Sequence, residues 1–304
     1  MAMPQPSPAT PGALNWALVL GLGVVWGTAF MGVEVALRAY PPFTVAAGRV
    51  LIGALVLLVV GPILGQGLTR IPSARGWLFA CLVGIAAAAV PFSLLSWGQQ
   101  HVPSAFAGVT MGAVPLLTLL LAMYFSREEG VGPRRIAGVS LGFLGLVILV
   151  GPGAFSGESP LVGWGRLACV LSACCYAVAN ILTRRAPRMP PIALATAALL
   201  TASLVLVPLA LMIEGVPDIP RALPSAALVW VALGPTALAA LVQVRIIQTA
   251  GALFMSQVSY MVPLWSVIFG ILILGETLPK QLFIALGLIF TGIAFSQWSA
   301  RRRR

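Results

Sequence analysis

The sequence contains one pattern twice, at a spacing of 148 residues. The first copy, residues 105–149, has an apolar run with Pro115 near its middle, then Glu128, then a glycine-rich apolar run. The second copy, residues 253–295, has Pro263 and Glu276 at the matching positions. A pattern that recurs in both halves of a chain predicts two copies of one structural unit, which restricts the fold to a two-unit architecture.

The composition indicates the solvent in which these units fold. Apolar residues make up 60% of the chain and charged residues only 8%, with a mean hydropathy of +1.02. A soluble domain needs far more charged surface than this. The chain contains ten apolar runs, each long enough to cross a hydrocarbon core about 30 Å thick. We number them segments 1 to 10, and they are residues 14–33, 43–64, 76–97, 104–125, 136–152, 161–183, 191–213, 225–247, 252–275 and 282–298.

The segments predict an all-α polytopic membrane protein with ten transmembrane helices, because they are continuous and lack the alternation of a β-barrel. They form two five-helix repeats, residues 14–152 and 161–298, joined by a linker at 153–160. We expect residues 1–13 to be a disordered cytoplasmic leader and residues 299–304 a basic cytoplasmic tail. An odd number of helices per repeat inserts the second copy upside down. Such inverted repeats occur in transporters that expose one site alternately to the two sides of a membrane.

The positions of the basic residues predict the orientation. With both termini in the cytoplasm, twelve Lys and Arg residues lie inside and four outside, as the positive-inside rule requires. This bias also explains the net charge of +11 without nucleic acid as a partner. We therefore predict a multi-pass protein of the bacterial cytoplasmic (inner) membrane, whose partners are the lipid bilayer and a small-molecule substrate. The oligomeric state is left open, a monomer included.

Motifs of enzymes and of ATP-driven pumps are missing from the sequence. It has no HExxH and no Walker A motif, and its single aspartate, Asp218, falls in a predicted outer loop. The four cysteines lie within apolar segments and form no CxxC spacing, which is typical of small core residues. We expect no enzyme activity, no cofactor and no metal site.

Three stretches resemble the EamA repeats of the drug/metabolite transporter superfamily: VTMGAVPLLTLLLAMYFSREE, VSYMVPLWSVIFGILILGETL and the opening VVWGTAFMGVEVALRAYPPFTVAAGRVLIGA. The resemblance covers about residues 14–298 and implies a ten-helix exporter similar to bacterial amino-acid exporters. The chain departs from the family pattern in two places. Arg127-Glu128 stands where the first repeat usually has Gly-Glu, and Arg49 has no arginine counterpart near residue 198.

The resemblance implies a secondary transporter that exports small amphiphilic metabolites by alternating access around a central cavity. Amino acids, including aromatic ones, are the expected substrates. A carrier of sugar nucleotides or drug-like solutes is the alternative, and an intramembrane enzyme is a less favoured one. An anionic sugar nucleotide calls for several Lys or Arg residues at midspan, whereas only Arg49 and Arg245 lie within segments.

Polar and aromatic side chains within the segments are the candidates for substrate binding. Each of them alone is explained as well by a hydrogen bond or packing contact between helices. Their joint distribution over several segments of both repeats favours a site. The candidates are Trp26, Ser93, Trp97, Gln100, Met111, Tyr176, Asn180, Gln243, Gln257 and Tyr260.

Charged residues and prolines form a second group of candidates. Glu34, Arg49 and Arg245 could bind a charged group or couple transport to an ion, although Glu34 also fits a surface pair with Arg38. Pro115 and Pro263 each remove a backbone hydrogen bond within a segment and are hinge candidates.

Glycines at four-residue spacing predict places where helices approach closely. The pairs are Gly23 and Gly27, Gly108 and Gly112, and Gly138 and Gly142. Plain packing explains these pairs, and sliding between smooth helix faces is the functional alternative.

Overall fold

The computed structural model describes residues 12–125, 133–151, 159–218 and 222–301. Most of the predicted leader, Glu128, most of the predicted linker and the last three residues of the tail lie outside these ranges. In segment order, the helices are Ala13–Leu37, Pro42–Ile63, Ala74–Gly84 with Val90–Gly98, Ser104–Met111 with Val114–Phe125, Pro133–Val150, Pro160–Arg185, Pro191–Glu214, Ala222–Val231 with Ala239–Ala250, Ala252–Met255 with Val258–Leu272, and Lys280–Arg301.

Within the described ranges, seven helices are long and apolar enough to cross a membrane. They belong to segments 1, 2, 3, 4, 6, 7 and 8. Segments 5, 9 and 10 contain shorter apolar helices, Ile136–Val150, Val258–Leu272 and Lys280–Phe295. The prediction of a helical protein with several membrane-crossing segments is thus confirmed, and the count of ten transmembrane helices stays a prediction.

Equivalent segments of the two repeats pack against each other in antiparallel fashion. Segment 5 lies along segment 10, with Gly151 next to Gln281 at one end and Gly142 against Gly292 further along. Segments 2 and 7 form a second such pair, and segments 4 and 9 a third. Helices that are equivalent in sequence therefore run in opposite directions in each of these three pairs.

The remaining contacts follow the same symmetry. Segment 1 packs on segments 8 and 9, and its counterpart, segment 6, packs on segments 3 and 4. This exchange is what a pseudo-twofold axis perpendicular to the helices produces. Segment 1 also contacts segment 3, and segment 2 contacts both segment 3 and segment 8, so side chains of both repeats face each other near that axis.

The predicted glycine pairs lie at close helix crossings. A methyl group at Gly23 would lie 2.7 Å from Met261 Cβ, and one at Gly27 would overlap Trp265, so segment 1 approaches segment 9 along this face. On the other side of segment 9, Gly108 lies directly against Ser266. Segment 9 is therefore held between two glycine-lined faces, because only glycine leaves room for such close backbone approach.

Candidate substrate-binding site

The helices near the pseudo-twofold axis are irregular at matching positions. Segment 3 contains a π-helical turn at Ile85–Ala89, and segment 8 contains one at Ala232–Leu238. A π-helical turn leaves some backbone carbonyls without their usual partner and is frequent at functional sites. In segment 8, the carbonyl of Pro235 and the hydroxyl of Thr236 both bond to side chains of other segments.

Segments 4 and 9 are each broken within their first half. Segment 4 is interrupted at residues 112–113 and segment 9 at residues 256–257, and short turns bridge both breaks. Pro115 lies at the start of the helix that follows the first break, whereas Pro263 lies inside helix Val258–Leu272. The two prolines match in sequence, but the breaks occur about one turn apart in the aligned repeats. Pro263 also packs on Gly112, so the proline of one repeat contacts the break of the other.

Arg49 is the centre of a group of residues from four segments, which we call the arginine site. Its side chain is buried, and its Nε donates a hydrogen bond to Thr236 Oγ1 at 2.8 Å. Its guanidinium carbon lies 3.8 Å from the centre of the Phe92 ring. The Phe92 and Tyr176 ring centres are 6.4 Å apart, so Tyr176 joins this group through Phe92. The arginine site thus consists of Arg49, Phe92, Tyr176 and Thr236.

Trp26 lies next to the arginine site on segment 1. Its indole Nε1 donates to the backbone oxygen of Pro235 at 3.0 Å, one residue before Thr236. Trp26, Met111, Tyr176 and Tyr260 all pack at the edge of one hydrophobic cluster, and Tyr176 also borders a second cluster that includes Phe92. Four of the predicted binding residues therefore pack on one hydrophobic cluster that residues of both repeats form.

The candidates on segment 3 are placed differently from one another. Ser93 Oγ donates to the carbonyl of Ala89 at 2.8 Å within its own segment, and the Trp97 ring packs edge-on against His101. Gln100 is exposed, because helix Val90–Gly98 ends before it. The buried amide is that of Gln99, whose Nε2 donates to the carbonyl of Phe30 at 2.8 Å.

The other polar candidates occupy peripheral or linking positions. Asn180 Nδ2 donates to Thr118 Oγ1 at 3.1 Å and so links segments 6 and 4. Tyr260 packs on Phe290, Gln257 lies in the break of segment 9, and Gln243 is half-buried on segment 8. The partners named for Asn180 and Tyr260, Thr118 and Phe290, are not residues of the arginine site.

Two of the charged candidates lie away from Arg49. Glu34 interacts electrostatically with Arg38 and with Glu276, near the end of segment 1. Arg245 is exposed on the last part of segment 8. Arg49 is therefore the charged candidate that the structure encloses.

A side chain just after segment 9 caps the start of segment 4, the segment that packs against it. Glu276 accepts hydrogen bonds from the amides of Ser104 at 2.7 Å and Ala105 at 3.1 Å, at the start of segment 4. Carboxylates at helix N-termini satisfy free N–H groups and interact favourably with the helix dipole. Glu276, singled out in the sequence by the repeat, thus joins segments 9 and 4.

Sequence reasoning missed Phe92 and Thr236. Phe92 is an ordinary apolar residue within an apolar segment, and no sequence signal distinguishes it. Thr236 had a usable signal, since it follows Gly234-Pro235 inside segment 8, and a proline within a helical run indicates an irregular turn with unpaired carbonyls.

Comparison with known families gives a match over both repeats. The model of the EamA-like transporter family matches residues 15–151 and again residues 163–298. The two matches together span most of the chain. They include the irregular segments 3, 4, 8 and 9.

Individual relatives cover the chain to different extents. The uncharacterized inner membrane transporter YedA of Escherichia coli K12 is 28% identical over 89% of this chain and 86% of its own length. A probable terminal-alkyne amino-acid exporter of Streptantibioticus cattleyicolor is 30% identical, over 44% of this chain and 43% of its own length. A crystal structure superposes with a TM-score of 0.67 and 25% identity, covering 96% of this chain and 99% of that one.

Proposed function

The chain belongs to the EamA-like transporter family, and from this premise we propose that it is a secondary transporter that exports small amphiphilic metabolites. Amino acids, including aromatic ones, are the proposed substrates. Transport proceeds by alternating access around a central cavity that the arginine site and its neighbours line.

One observation carries this proposal: the helices are irregular in corresponding segments of the two repeats. Segments 3 and 8 both contain a π-helical turn, and segments 4 and 9 are both broken. Interrupted helices in corresponding positions of two repeats are a feature of transporters, whose substrates bind where the repeats meet. A bundle with a purely structural role gains nothing from four matched interruptions, which weaken its helices.

The antiparallel packing of equivalent segments supports inverted insertion of the two repeats. Segments 2 and 7, 4 and 9, and 5 and 10 each run in opposite directions. Two inverted five-helix repeats with ten membrane crossings satisfy this arrangement and the distribution of arginines. This topology places both termini in the cytoplasm. The proposed location of the protein is the inner membrane, which is also the membrane named for the Escherichia coli relative.

The side chains near the axis suit an amphiphilic solute. Trp26, Phe92 and Tyr176 offer aromatic surface, and the arginine site adds a positive charge. Small-molecule sites typically have apolar and aromatic walls with a small number of polar groups. The name of the Streptantibioticus relative, a probable exporter of an amino acid, agrees with this substrate class.

Counterflow into liposomes that contain the purified protein tests the proposal. The panel comprises aromatic and aliphatic amino acids, sugar nucleotides and cationic drugs, each with and without a pH gradient. We expect saturable counterflow of amino acids, fastest for aromatic ones. Transport of sugar nucleotides or drugs without transport of any amino acid would contradict the proposed substrate class.

A further inference from the structure

The arginine site contains a buried positive charge for which the described residues supply little compensation. Arg49 is 8% exposed and donates one recorded hydrogen bond, from Nε to Thr236. Thr236 Oγ1 in turn donates to the carbonyl of Val231 at 2.9 Å, so its lone pairs are free to accept from Arg49. These two linked hydrogen bonds fix the orientation of the guanidinium. Its two terminal nitrogens take no part in them.

The terminal nitrogens of Arg49 are not fully enclosed by the described residues. Among the described residues, the buried side-chain nitrogen and oxygen atoms without a partner are Gln99 Oε1 and Ser104 Oγ, and Arg49 contributes none. Because Nη1 and Nη2 have no recorded bond, they must reach solvent-accessible space. The Phe92 ring covers one face of the guanidinium and does not block its donor edge.

A guanidinium in this position calls for an anionic partner. A charged side chain within a membrane-spanning bundle is costly and is found where it pairs with another charge or lines a pathway. The planar fork of arginine matches the two oxygens of a carboxylate, and the two hydrogen bonds are about twice as strong as neutral ones. Among the described residues, no Asp or Glu side chain contacts Arg49, which leaves the place of an anionic partner open.

The positive charge of Arg49 has no counterpart at the equivalent position of the second repeat. The position 150 residues after Arg49 is Leu199, which is buried in the second hydrophobic cluster. Trp26 and Tyr176, at the same spacing, are both aromatic. The aromatic surface is thus shared by the two repeats, whereas the anion-binding group belongs to the first repeat alone.

We propose that Arg49 binds the carboxylate of the transported substrate, and that a carboxylate is what the site requires for recognition. The inference rests on the proposed function and names the chemical group that the site selects. The aromatic rings of Phe92 and Tyr176 contact the rest of the substrate, and the single arginine fixes its orientation. A zwitterionic amino acid and a simple aromatic acid both meet this requirement, whereas an aromatic amine does not.

The test compares three probes with the same ring: L-phenylalanine, 3-phenylpropionate, which lacks the ammonium group, and phenethylamine, which lacks the carboxylate. Binding is measured as ligand-induced thermal stabilisation of the full chain in detergent, and transport as counterflow in liposomes. The variants are Arg49→Gln and Arg49→Lys. The exposed Arg245→Gln is the matched control.

We expect the wild-type protein to bind phenylalanine and 3-phenylpropionate and to discriminate against phenethylamine. Arg49→Gln should weaken binding of the two acids about tenfold to a hundredfold, as expected for the loss of charge-assisted hydrogen bonds. Arg49→Lys should retain part of the affinity, and Arg245→Gln all of it. Should Arg49→Gln fail to fold, the affinity of Arg49→Lys relative to wild type decides, because lysine keeps the charge and loses the fork.

Failure of this inference differs from failure of the proposed function. Equal binding of phenethylamine and phenylalanine by the wild type, or unchanged affinity in the Arg49 variants, would overturn the role of Arg49 while leaving transport intact. Binding of the acids that depends on Arg49, without transport of any amino acid, would overturn the proposed function alone. Binding of none of the probes would refute both.

Discussion

Gln66 and Glu214 cap opposite ends of one antiparallel helix pair and lie 148 residues apart in the sequence. Glu214, at the end of segment 7, accepts hydrogen bonds from the amides of Phe43 at 2.9 Å and Thr44 at 2.7 Å, at the start of segment 2. Gln66, just after segment 2, accepts one from the amide of Ile192 at 3.3 Å, at the start of segment 7. One end of the pair is thus held by a carboxylate and the other by a neutral amide.

This difference predicts unequal contributions of the two caps to stability. Glu214→Gln should lower the free energy of unfolding by about 1–2 kcal/mol, because a bond to a charged acceptor is replaced by a neutral one and at least one amide loses its partner. Gln66→Glu should raise it. Thermal unfolding in detergent measures both. Thr44→Val, which removes only the hydroxyl bond to Glu214, is the control and should have a smaller effect. An unfolding temperature of Glu214→Gln equal to that of wild type would contradict the prediction.

The crossing of segments 4 and 9 gives a prediction about packing. Gly108→Ala places a methyl group on Ser266, and we expect a destabilisation of about 1–3 kcal/mol from overpacking. Gly108→Ala combined with Ser266→Gly should recover most of this loss, since the two changes share one contact. Thermal unfolding of the single and double variants measures the recovery. Gly287→Ala on segment 10, where no atom lies within 4 Å of the added carbon, is the control and should be neutral or stabilising. Additive losses in the double variant would show that the two residues are not in contact.

Trp26 has two separable roles. Trp26→Phe keeps an aromatic ring and loses the hydrogen bond to Pro235, so stability should fall by about 1 kcal/mol while the KM for aromatic amino acids stays close to wild type. Trp26→Ala also removes the ring and should raise that KM. Counterflow kinetics and thermal unfolding, measured on the same preparations, separate the two effects. An equal KM for Trp26→Ala and wild type would exclude the ring from the site.

The two prolines should differ in their effect on turnover. Pro263 lies inside a helix, so Pro263→Ala adds an N–H donor and allows a straighter helix. Pro115 lies at the start of a helix, where its missing donor has little consequence. We expect Pro263→Ala to lower the maximal rate of counterflow about tenfold, equivalent to about 1.4 kcal/mol in the barrier, and Pro115→Ala to change it far less. The reverse order of the two rates would show that the break in segment 4 is the hinge.

The sequence predicted the segments and the two repeats because hydrophobic length and repetition are properties of local sequence, whereas the pairing of segments became apparent only in the structure. It could not assign Glu276 its role, because the amides that Glu276 caps are more than 170 residues away along the chain. Ser93, Trp97 and Gln100 follow the spacing of one helical face in the sequence, but the helix ends at Gly98 and Gln99 is the residue that turns inward. The role of Thr236 depends on a π-helical turn, whose position is determined by packing between segments.

Alternating access means that one site is exposed in turn to the two sides of the membrane. It is tested most directly by Ser93→Cys in a chain whose four native cysteines are replaced, with the buried Ser172→Cys as control. The cysteine is reacted with a membrane-impermeant maleimide added to one side of sealed vesicles at a time. We expect position 93 to be labelled from either side, substrate to slow the labelling, and position 172 to stay unreactive. Labelling of position 93 from one side only, whether or not substrate is present, would contradict alternating access.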